Sequence, residues 1–299
     1  MVNLRGLFPP IPTVFEGWRI SAAHIAENIA RWNEEPLDGY VVLGSNGEAP
    51  LLEEGEKREA IGAARRAAEK GKKLLLVGTG RESTLAAVRA TREAFDLGAD
   101  AVLLGAPTYY KPEYTDPILE KHFRSVADAS PGPVILYSVP QFTGVPLSPA
   151  LVAKLATHQK IVGIKDSGGD LENVKSLVAV RRDGGTPFHV LVGSARVWAE
   201  GLLAGAAGGV LAVANVAPRL CTDIGTAARR GDATAARAGN DRLMPLATAV
   251  TRGHGIGGLK AALDLLHYHG GDPRPPLTPA SPAARLEIAT HLRALGLLT

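Results

Sequence analysis

The sequence has little of what several large protein classes need. Cys221 is the only cysteine among 299 residues, so no disulfide can form within the chain, which suits a reducing compartment. No apolar run approaches the roughly 20 residues that a membrane-spanning helix requires. Residues 1–6 also lack the apolar stretch of a signal peptide. We therefore expect a cytoplasmic protein without a membrane segment.

Clustered charge and ligand motifs are missing as well. The net charge is only +3, and basic pairs such as Arg65-Arg66 and Arg229-Arg230 are isolated, which argues against nucleic-acid binding. The 8 histidines form neither an HxxxH nor an HExxH set. No glycine-rich phosphate loop follows the first predicted strand. The sequence therefore predicts no metal site, no nucleotide and no other cofactor.

The chain does contain a regular alternation of short apolar runs with longer amphipathic segments. Eight such runs separated by helical patterns predict a parallel sheet closed into a (β/α)8 TIM barrel, an α/β fold. An open doubly wound sheet is the alternative, but its usual phosphate loop is absent. Strand signals stop after Pro218, so we predict the barrel over residues 1–222 and a C-terminal helical extension over 223–299. The predicted strands are 7–14, 39–43, 74–78, 101–104, 133–137, 161–165, 189–192 and 209–213.

Lys165 ends the apolar run 161–164 and directly precedes a turn sequence that starts at Asp166. A lysine at the end of a buried strand begins inside the protein, where burial disfavours the ammonium form. A free amine beside a pocket attacks carbonyl groups and forms a Schiff base. The alternative is a lysine whose stem packs on the core while its head reaches solvent.

Polar residues follow several other predicted strands. Ser45 and Asn46 lie between two glycines after the second strand, and Tyr137 ends the fifth strand. Because the active site of a barrel of this kind lies at the carboxyl ends of the strands, these side chains are expected near Lys165. A plain turn at 44–48 and a simply packed tyrosine are the alternatives for these positions.

Together these motifs resemble those of a known family, the pyruvate-dependent class I aldolases related to dihydrodipicolinate synthase and N-acetylneuraminate lyase. Their order and spacing match over nearly the whole chain. The matching pieces are GSNGE at 44–48, the tyrosine pair at 109–110, YSVP at 137–140, TG at 143–144, GIKDS at 163–167, GS at 193–194 and ANV at 214–216.

The resemblance implies a role for each matched position. Lys165 would form the Schiff base with a 2-oxo acid, and Tyr137 would move protons. Ser45 or Asn46, with Tyr110, would complete a proton relay. Tyr110 would come from a neighbouring subunit, which implies a homotetramer. The expected substrate contacts are Ser45, Asn46, Ser167, Gly193, Ser194 and Leu211, with a helix N-cap as the alternative role of Ser167.

Two departures from the family pattern bear on the substrate. Dihydrodipicolinate synthases usually carry an arginine where this chain has Phe142, and two threonines where it has Ser45 and Asn46. The resemblance is therefore closest to 4-hydroxy-2-oxoglutarate aldolase, whose products would be pyruvate and glyoxylate. The alternatives are 4-hydroxy-tetrahydrodipicolinate synthase, which condenses pyruvate with aspartate semialdehyde, a sugar-acid aldolase, and a non-catalytic 2-oxo-acid-binding protein.

Overall fold

The computed structural model describes residues 2–180 and 187–299. The chain divides into two compact units. One comprises Met1–Gly6 and Leu76–Val210, and the other comprises Leu7–Leu75 and Leu211–Thr299. The predicted boundary between residues 222 and 223 falls inside the helix Pro218–Arg229. A separate C-terminal extension stays a prediction.

Parallel strands form the central sheet. They follow one another in chain order, and each pair is joined by the crossover segment between them. The strands from Ala101 to Val192 are buried almost throughout, as a sheet covered by helices requires. The strands are β1 Phe15–Glu16, β2 Arg19–Ile20, β3 Gly39–Val42, β4 Leu74–Gly78, β5 Ala101–Gly105, β6 Val134–Ser138, β7 Ile161–Asp166, β8 His189–Val192 and β9 Gly208–Gly209, of which β1 and β2 form a separate hairpin.

Side chains cap the starts of several helices. The hydroxyls of Ser83 and Ser148 accept hydrogen bonds from backbone N–H groups of the first turns. Among the described residues, no helix is long and apolar enough to cross a bilayer. The helices are α1 Ala22–Trp32, α2 Glu54–Lys70, α3 Thr84–Asp96, α4 Asp116–Ala129, α5 Pro140–Thr143, α6 Pro149–Ala156, α7 Leu171–Val178, α8 Trp198–Leu203, α9 Pro218–Arg229, α10 Ala233–Thr248, α11 Gly255–Leu265 and α12 Pro282–Ala294.

The predicted first strand, 7–14, is not a regular strand. It makes one isolated parallel bridge, between Pro10 and Val41. Val41 donates to the Pro9 carbonyl at 3.0 Å and Ile11 donates to the Val41 carbonyl at 2.9 Å. Prolines at 9, 10 and 12 have no N–H, so the ladder cannot extend further.

The predicted eighth strand, 209–213, is also wrong in its bounds. The strand covers only Gly208–Gly209, and a 3-10 helix covers Ala212–Asn215. The Asn215 amide donates to the Ala212 carbonyl at 2.9 Å and to the Pro10 carbonyl at 3.1 Å. These bonds favour the turn over a strand, because the side chain satisfies carbonyls that a ladder would otherwise pair.

Candidate active site

Lys165 lies on β7, beside Tyr137 of the neighbouring strand β6. Tyr137 and Lys165 are register partners in the parallel pair, so their side chains leave the sheet on the same face. Lys165 is 3% exposed, and its Nζ lies 4.1 Å from the centroid of the Tyr137 ring. The amine is thus held over an aromatic face inside the protein and does not extend into solvent.

Asp166 points to the opposite face of β7 from Lys165, because successive side chains alternate along a strand. Its Oδ1 accepts a hydrogen bond from the Asn173 amide at 3.2 Å. Burial raises the pKa of the Asp166 carboxyl, and hydrogen bonds from Asn173, Gly168 and Ser138 act in the other direction. Asp166 therefore anchors α7 to the sheet on the side away from the amine.

The loop after β7 is tied to the ends of both neighbouring strands. Ser167 donates its N–H to the Ser138 carbonyl at 2.9 Å, and Gly193 donates to the Asp166 carbonyl at 2.7 Å. A Cβ on Gly193 would lie 2.1 Å from Ser167 Oγ, so only glycine permits this approach. Asp170, not Ser167, caps α7, since its side chain accepts from Glu172 N–H at 2.9 Å. The N-cap interpretation of Ser167 is therefore wrong.

Arg196 is a structural residue of this loop that the sequence analysis did not identify. Its Nε donates to the Gly169 carbonyl at 3.1 Å, and its Nη2 donates to the same oxygen. Gly169 has φ +73, and a Cβ there would lie 2.9 Å from Ser194 Oγ. Arg196 thus fixes the turn that follows the lysine, and the close approach of Ser194 favours glycine at position 169. Nothing in the sequence distinguishes this arginine from a solvated one.

The tyrosine pair after β5 lies on an exposed, well-anchored loop. The Glu82 carboxylate accepts hydrogen bonds from Thr108 N–H at 2.9 Å, Thr108 Oγ1 at 2.6 Å and Tyr109 N–H at 3.0 Å. The rings of Tyr109 and Tyr110 meet edge to face at 4.9 Å. They are nevertheless 78% and 64% exposed in the single chain. Large aromatic side chains so exposed are typical of a protein–protein contact.

Ser45 and Asn46 lie in the other compact unit, in the 3-10 helix Ser45–Gly47. Glu48 ends this turn in the left-handed region at φ +54, and its N–H donates to the Ser45 carbonyl at 3.1 Å. A non-glycine residue in that conformation needs surrounding contacts to hold it. Leu211 is in the same unit, 1% exposed, and directly precedes the 3-10 helix Ala212–Asn215.

A buried ion pair holds Glu48 in its left-handed conformation. Lys260 Nζ on α11 lies 2.7 Å from Glu48 Oε1, and both side chains are 0% exposed. Burial lowers the pKa of the Lys260 ammonium, while the Glu48 carboxylate acts to raise it. Lys260 also donates to the Asp272 carbonyl at 2.9 Å, and Arg274 N–H donates to Glu48 Oε2 at 2.7 Å.

Arg274 extends this network to the start of α2. Its guanidinium forms a two-point ion pair with Glu56, with N–O distances of 2.5 and 2.7 Å, which lowers the pKa of that carboxyl. It also donates to the Trp18 carbonyl at 2.7 Å and lies 4.5 Å from the Phe15 ring centroid. The pairing with Glu48 and Glu56 became visible only in the structure.

The described geometry brings some of the predicted residues together within a compact unit. Within one unit it brings Lys165 next to Tyr137, and Ser167 next to Gly193. Residues 3–295 match the model of the Dihydrodipicolinate synthetase family. The chain belongs to this family.

Relatives in the dihydrodipicolinate synthetase family match nearly end to end. The 4-hydroxy-tetrahydrodipicolinate synthase of Sphingopyxis alaskensis is 34% identical over 295 residues, covering 98% of this chain and 99% of the relative. The enzyme of that name from Pseudomonas aeruginosa is 38% identical over 267 residues, 89% of each chain. The chloride-inhibited dihydrodipicolinate synthase of Acinetobacter baumannii, solved with pyruvate, superposes with a TM-score of 0.89 at 30% identity, covering 99% of this chain and all 100% of that one.

Membership confirms the predicted fold class and family. The fold is the α/β TIM barrel of the dihydrodipicolinate synthetase family, and the chain is a lyase-type aldolase of that family. Its GSNGE, YSVP and GIKDS motifs lie at the ends of β3, β6 and β7 as predicted. The names of the relatives agree with the predicted alternative, 4-hydroxy-tetrahydrodipicolinate synthase, rather than with 4-hydroxy-2-oxoglutarate aldolase.

Proposed function

We propose that Lys165 forms a Schiff base with the ketone of pyruvate and that the chain makes or breaks a carbon–carbon bond at the pyruvate methyl carbon. The observation that carries this proposal is the buried amine 4.1 Å from the Tyr137 ring. The amine adds to C2, and loss of water leaves a protonated imine. Removing a proton from C3 then gives an enamine, the nucleophile toward an aldehyde carbon.

The cleavage direction runs through the same species. Removing the proton of the C4 hydroxyl starts the cleavage, the C3–C4 bond breaks, and its electron pair flows into the imine to form the enamine. The aldehyde leaves, C3 gains a proton, and water releases pyruvate from Lys165. We assign the proton transfers at the imine and the hydroxyl to Tyr137, with Ser45 and Tyr110 as the relay.

The substrate carboxylate needs hydrogen-bond donors, and the turn at Ser45 and Asn46 offers them. A 3-10 turn between glycines combines hydroxyl, amide and backbone N–H donors, which suits an anion. We assign the 1-carboxylate to these two residues. Further substrate contacts are proposed for Ser167, Gly193, Ser194 and Leu211, of which Ser167 and Gly193 are already in close contact with each other.

The names of the relatives support aspartate semialdehyde as the aldehyde partner. All three proteins described above are named for dihydrodipicolinate or 4-hydroxy-tetrahydrodipicolinate synthesis, and each match covers most of this chain. On this proposal the chain condenses pyruvate with aspartate semialdehyde. The reaction would consume two carbonyl compounds and form one new carbon–carbon bond.

A second candidate is favoured by Phe142. This residue stands on α5 where the family's synthases usually carry an arginine, and its side chain is 67% exposed. A phenyl ring cannot pair with the additional carboxylate of aspartate semialdehyde. The alternative substrate is 4-hydroxy-2-oxoglutarate, cleaved to pyruvate and glyoxylate; its second carboxylate is bonded to C4 itself, two carbons closer to the reacting bond than the carboxylate of aspartate semialdehyde, and does not need a cation at the same distance.

Borohydride reduction in the presence of pyruvate tests the Schiff base. The expected result is a single reduced adduct on the peptide that contains Lys165, found by mass spectrometry after proteolysis. Lys260, another fully buried lysine, is the internal control and should stay unmodified. Lys165→Ala should form no adduct and show no turnover. An adduct elsewhere, or full activity of that variant, would remove the mechanism.

A substrate panel distinguishes the two partners. Pyruvate release from 4-hydroxy-2-oxoglutarate and from N-acetylneuraminate is measured with a coupled assay, and condensation is measured with pyruvate and aspartate semialdehyde. Phe142→Arg is expected to raise kcat/KM for aspartate semialdehyde if the missing cation limits its use. Efficient condensation by the unmodified chain would instead favour the synthase.

A further inference from the structure

Two histidines that are far apart in the sequence lie face to face in the unit formed by Leu7–Leu75 and Leu211–Thr299. His24 is on α1, and His269 follows α11. Their rings are stacked with centroids 3.8 Å apart and planes 7° apart.

Carboxylates flank this pair on both sides. Glu27, one turn after His24 on α1, places Oε2 2.8 Å from His269 Nε2. Glu16 places Oε1 3.0 Å from His24 Nδ1. Ser21 Oγ donates to the same oxygen of Glu16 at 2.9 Å.

The group has the composition and spacing of a metal site. One ligand atom each of His24, Glu27 and His269 lie within 4.8 Å of one another, and no other such group occurs among the described ranges 2–180 and 187–299. Imidazole and carboxylate suit zinc, nickel and copper ions. With both imidazoles neutral, Glu16 and Glu27 supply two negative charges, which match a divalent cation.

We propose that His24, Glu27 and His269 bind one divalent transition-metal ion such as Zn²⁺. His24 would use Nε2, because its Nδ1 already faces the Glu16 carboxylate. A carboxylate on the second ring nitrogen orients metal-binding histidines in many proteins. Bond lengths of about 2.0–2.1 Å require the three side chains to rotate closer together, which their partial exposure allows.

The backbone around His269 is fixed before any ion binds. Asn28 accepts from His269 N–H at 2.9 Å and donates to the His269 carbonyl at 2.8 Å. Arg31 lies 3.7 Å above the Tyr268 ring and donates to the carbonyls of Leu266 and His267. These contacts place the ligand from the tail against the two ligands from α1. Binding therefore costs little backbone ordering and would tie α1 to the segment after α11.

The test is a zinc titration of the full chain without a polyhistidine tag, in competition with a chromophoric chelator. We expect one Zn²⁺ per chain and a rise in melting temperature with zinc. His24→Gln and His269→Gln should each weaken zinc binding at least tenfold, and Glu16→Gln should weaken it less. Absorption of bound Co²⁺ should reveal nitrogen ligands that the two glutamine variants lose.

A second cluster provides the matched control. His254, Glu287 and His291 have the same residue types, with N–O distances of 2.9 and 3.7 Å, but do not meet the three-way spacing. His254→Gln should leave zinc affinity and stoichiometry unchanged. The proposal would be wrong if folded His269→Gln bound zinc as tightly as the unmodified chain, or if the unmodified chain bound no zinc at millimolar concentration. The cluster would then consist of two ordinary ion pairs, His24 with Glu16 and His269 with Glu27. Thermal melts without zinc show whether each variant is folded.

Discussion

Lys165 and Asp166 are neighbours in the chain, but their side chains point to opposite faces of β7 and contact different residues. Strand alternation sends the amine toward Tyr137 and the carboxylate toward Asn173 on α7. One side chain is available for chemistry on the inner face, while the other holds the helix layer. At the scale of single residues, the site therefore depends on the register of β6 with β7, which pairs Tyr137 with Lys165.

The hydroxyl of Tyr137 can be tested apart from its ring. Tyr137→Phe keeps the aromatic face beside Lys165 but removes the proton-transfer group. We expect kcat to fall about 10²–10⁴-fold, the range typical of a lost general acid or base. Borohydride should still trap pyruvate on Lys165, only more slowly. Unchanged kcat in a steady-state assay would contradict the assignment.

We expect Asp166 to give the free energy of unfolding a measurable pH dependence. Because burial raises its pKa in the folded state, the folded chain binds the proton more tightly than the unfolded chain does. The stabilising contribution is therefore present below the unfolded pKa and is lost as pH rises through the folded pKa. Asp166→Asn should remove that loss, at about 1.4 kcal/mol for each unit of pKa difference.

The measurement for Asp166 is urea unfolding across a pH series. The free energy of unfolding of Asp166→Asn, minus that of the unmodified chain, should increase as pH rises from acid toward neutral. Asp170→Asn is the control, because Asp170 caps α7 at its exposed end. A difference that stays constant with pH would show that hydrogen bonds from Asn173, Gly168 and Ser138 offset burial, and a difference that falls would show that they outweigh it.

Among the secondary-structure elements, helix α11 holds the GSNGE turn through one ion pair. Lys260→Met should destabilise the fold by about 3–5 kcal/mol, since it leaves the Glu48 carboxylate buried without its cation. The double variant Glu48→Gln, Lys260→Met should recover part of this loss. A double-mutant cycle by chemical denaturation measures the coupling. Additive losses in that cycle would mean that the two side chains act independently.

On the scale of the whole molecule, Tyr109 and Tyr110 present an aromatic surface that one chain leaves exposed. Resemblance to the family implies that a neighbouring subunit covers it, as part of a proposed homotetramer. The two rings pack edge to face, and Glu82 accepts a hydrogen bond from the backbone N–H of Tyr109. Binding a partner subunit would therefore need little reordering of this loop.

Subunit mixing tests whether Tyr110 acts in a neighbouring site. Lys165→Ala and Tyr110→Phe are each expected to be inactive alone. Mixed oligomers should regain about a quarter of the full activity, because random pairing makes half of the dimers mixed, each with one intact site. Co-expression of differently tagged chains and assay of the purified mixture checks this. If mixing restores nothing, Tyr110 acts in its own chain or not at all.

Much of this protein was predictable from the sequence because the signals are local. The alternation of apolar runs with amphipathic segments gave the order of strands and helices, and the motifs after the strands identified the family. The first and the last of the eight predicted strands, 7–14 and 209–213, were less predictable. At 7–14, missing proline N–H groups limit the ladder, and at 212–215 an asparagine side chain favours a turn.

Only the tertiary structure decided which distant residues meet. Glu48 and Lys260 are 212 positions apart, and His24 and His269 are 245 apart, so no spacing rule could pair them. Packing of the tail against α1 and the GSNGE turn brings these charges together. Local sequence thus determined the elements and the position of Lys165 at the end of a buried strand. Long-range packing determined the contacts that hold them, because burial and charge pairing depend on neighbours in space.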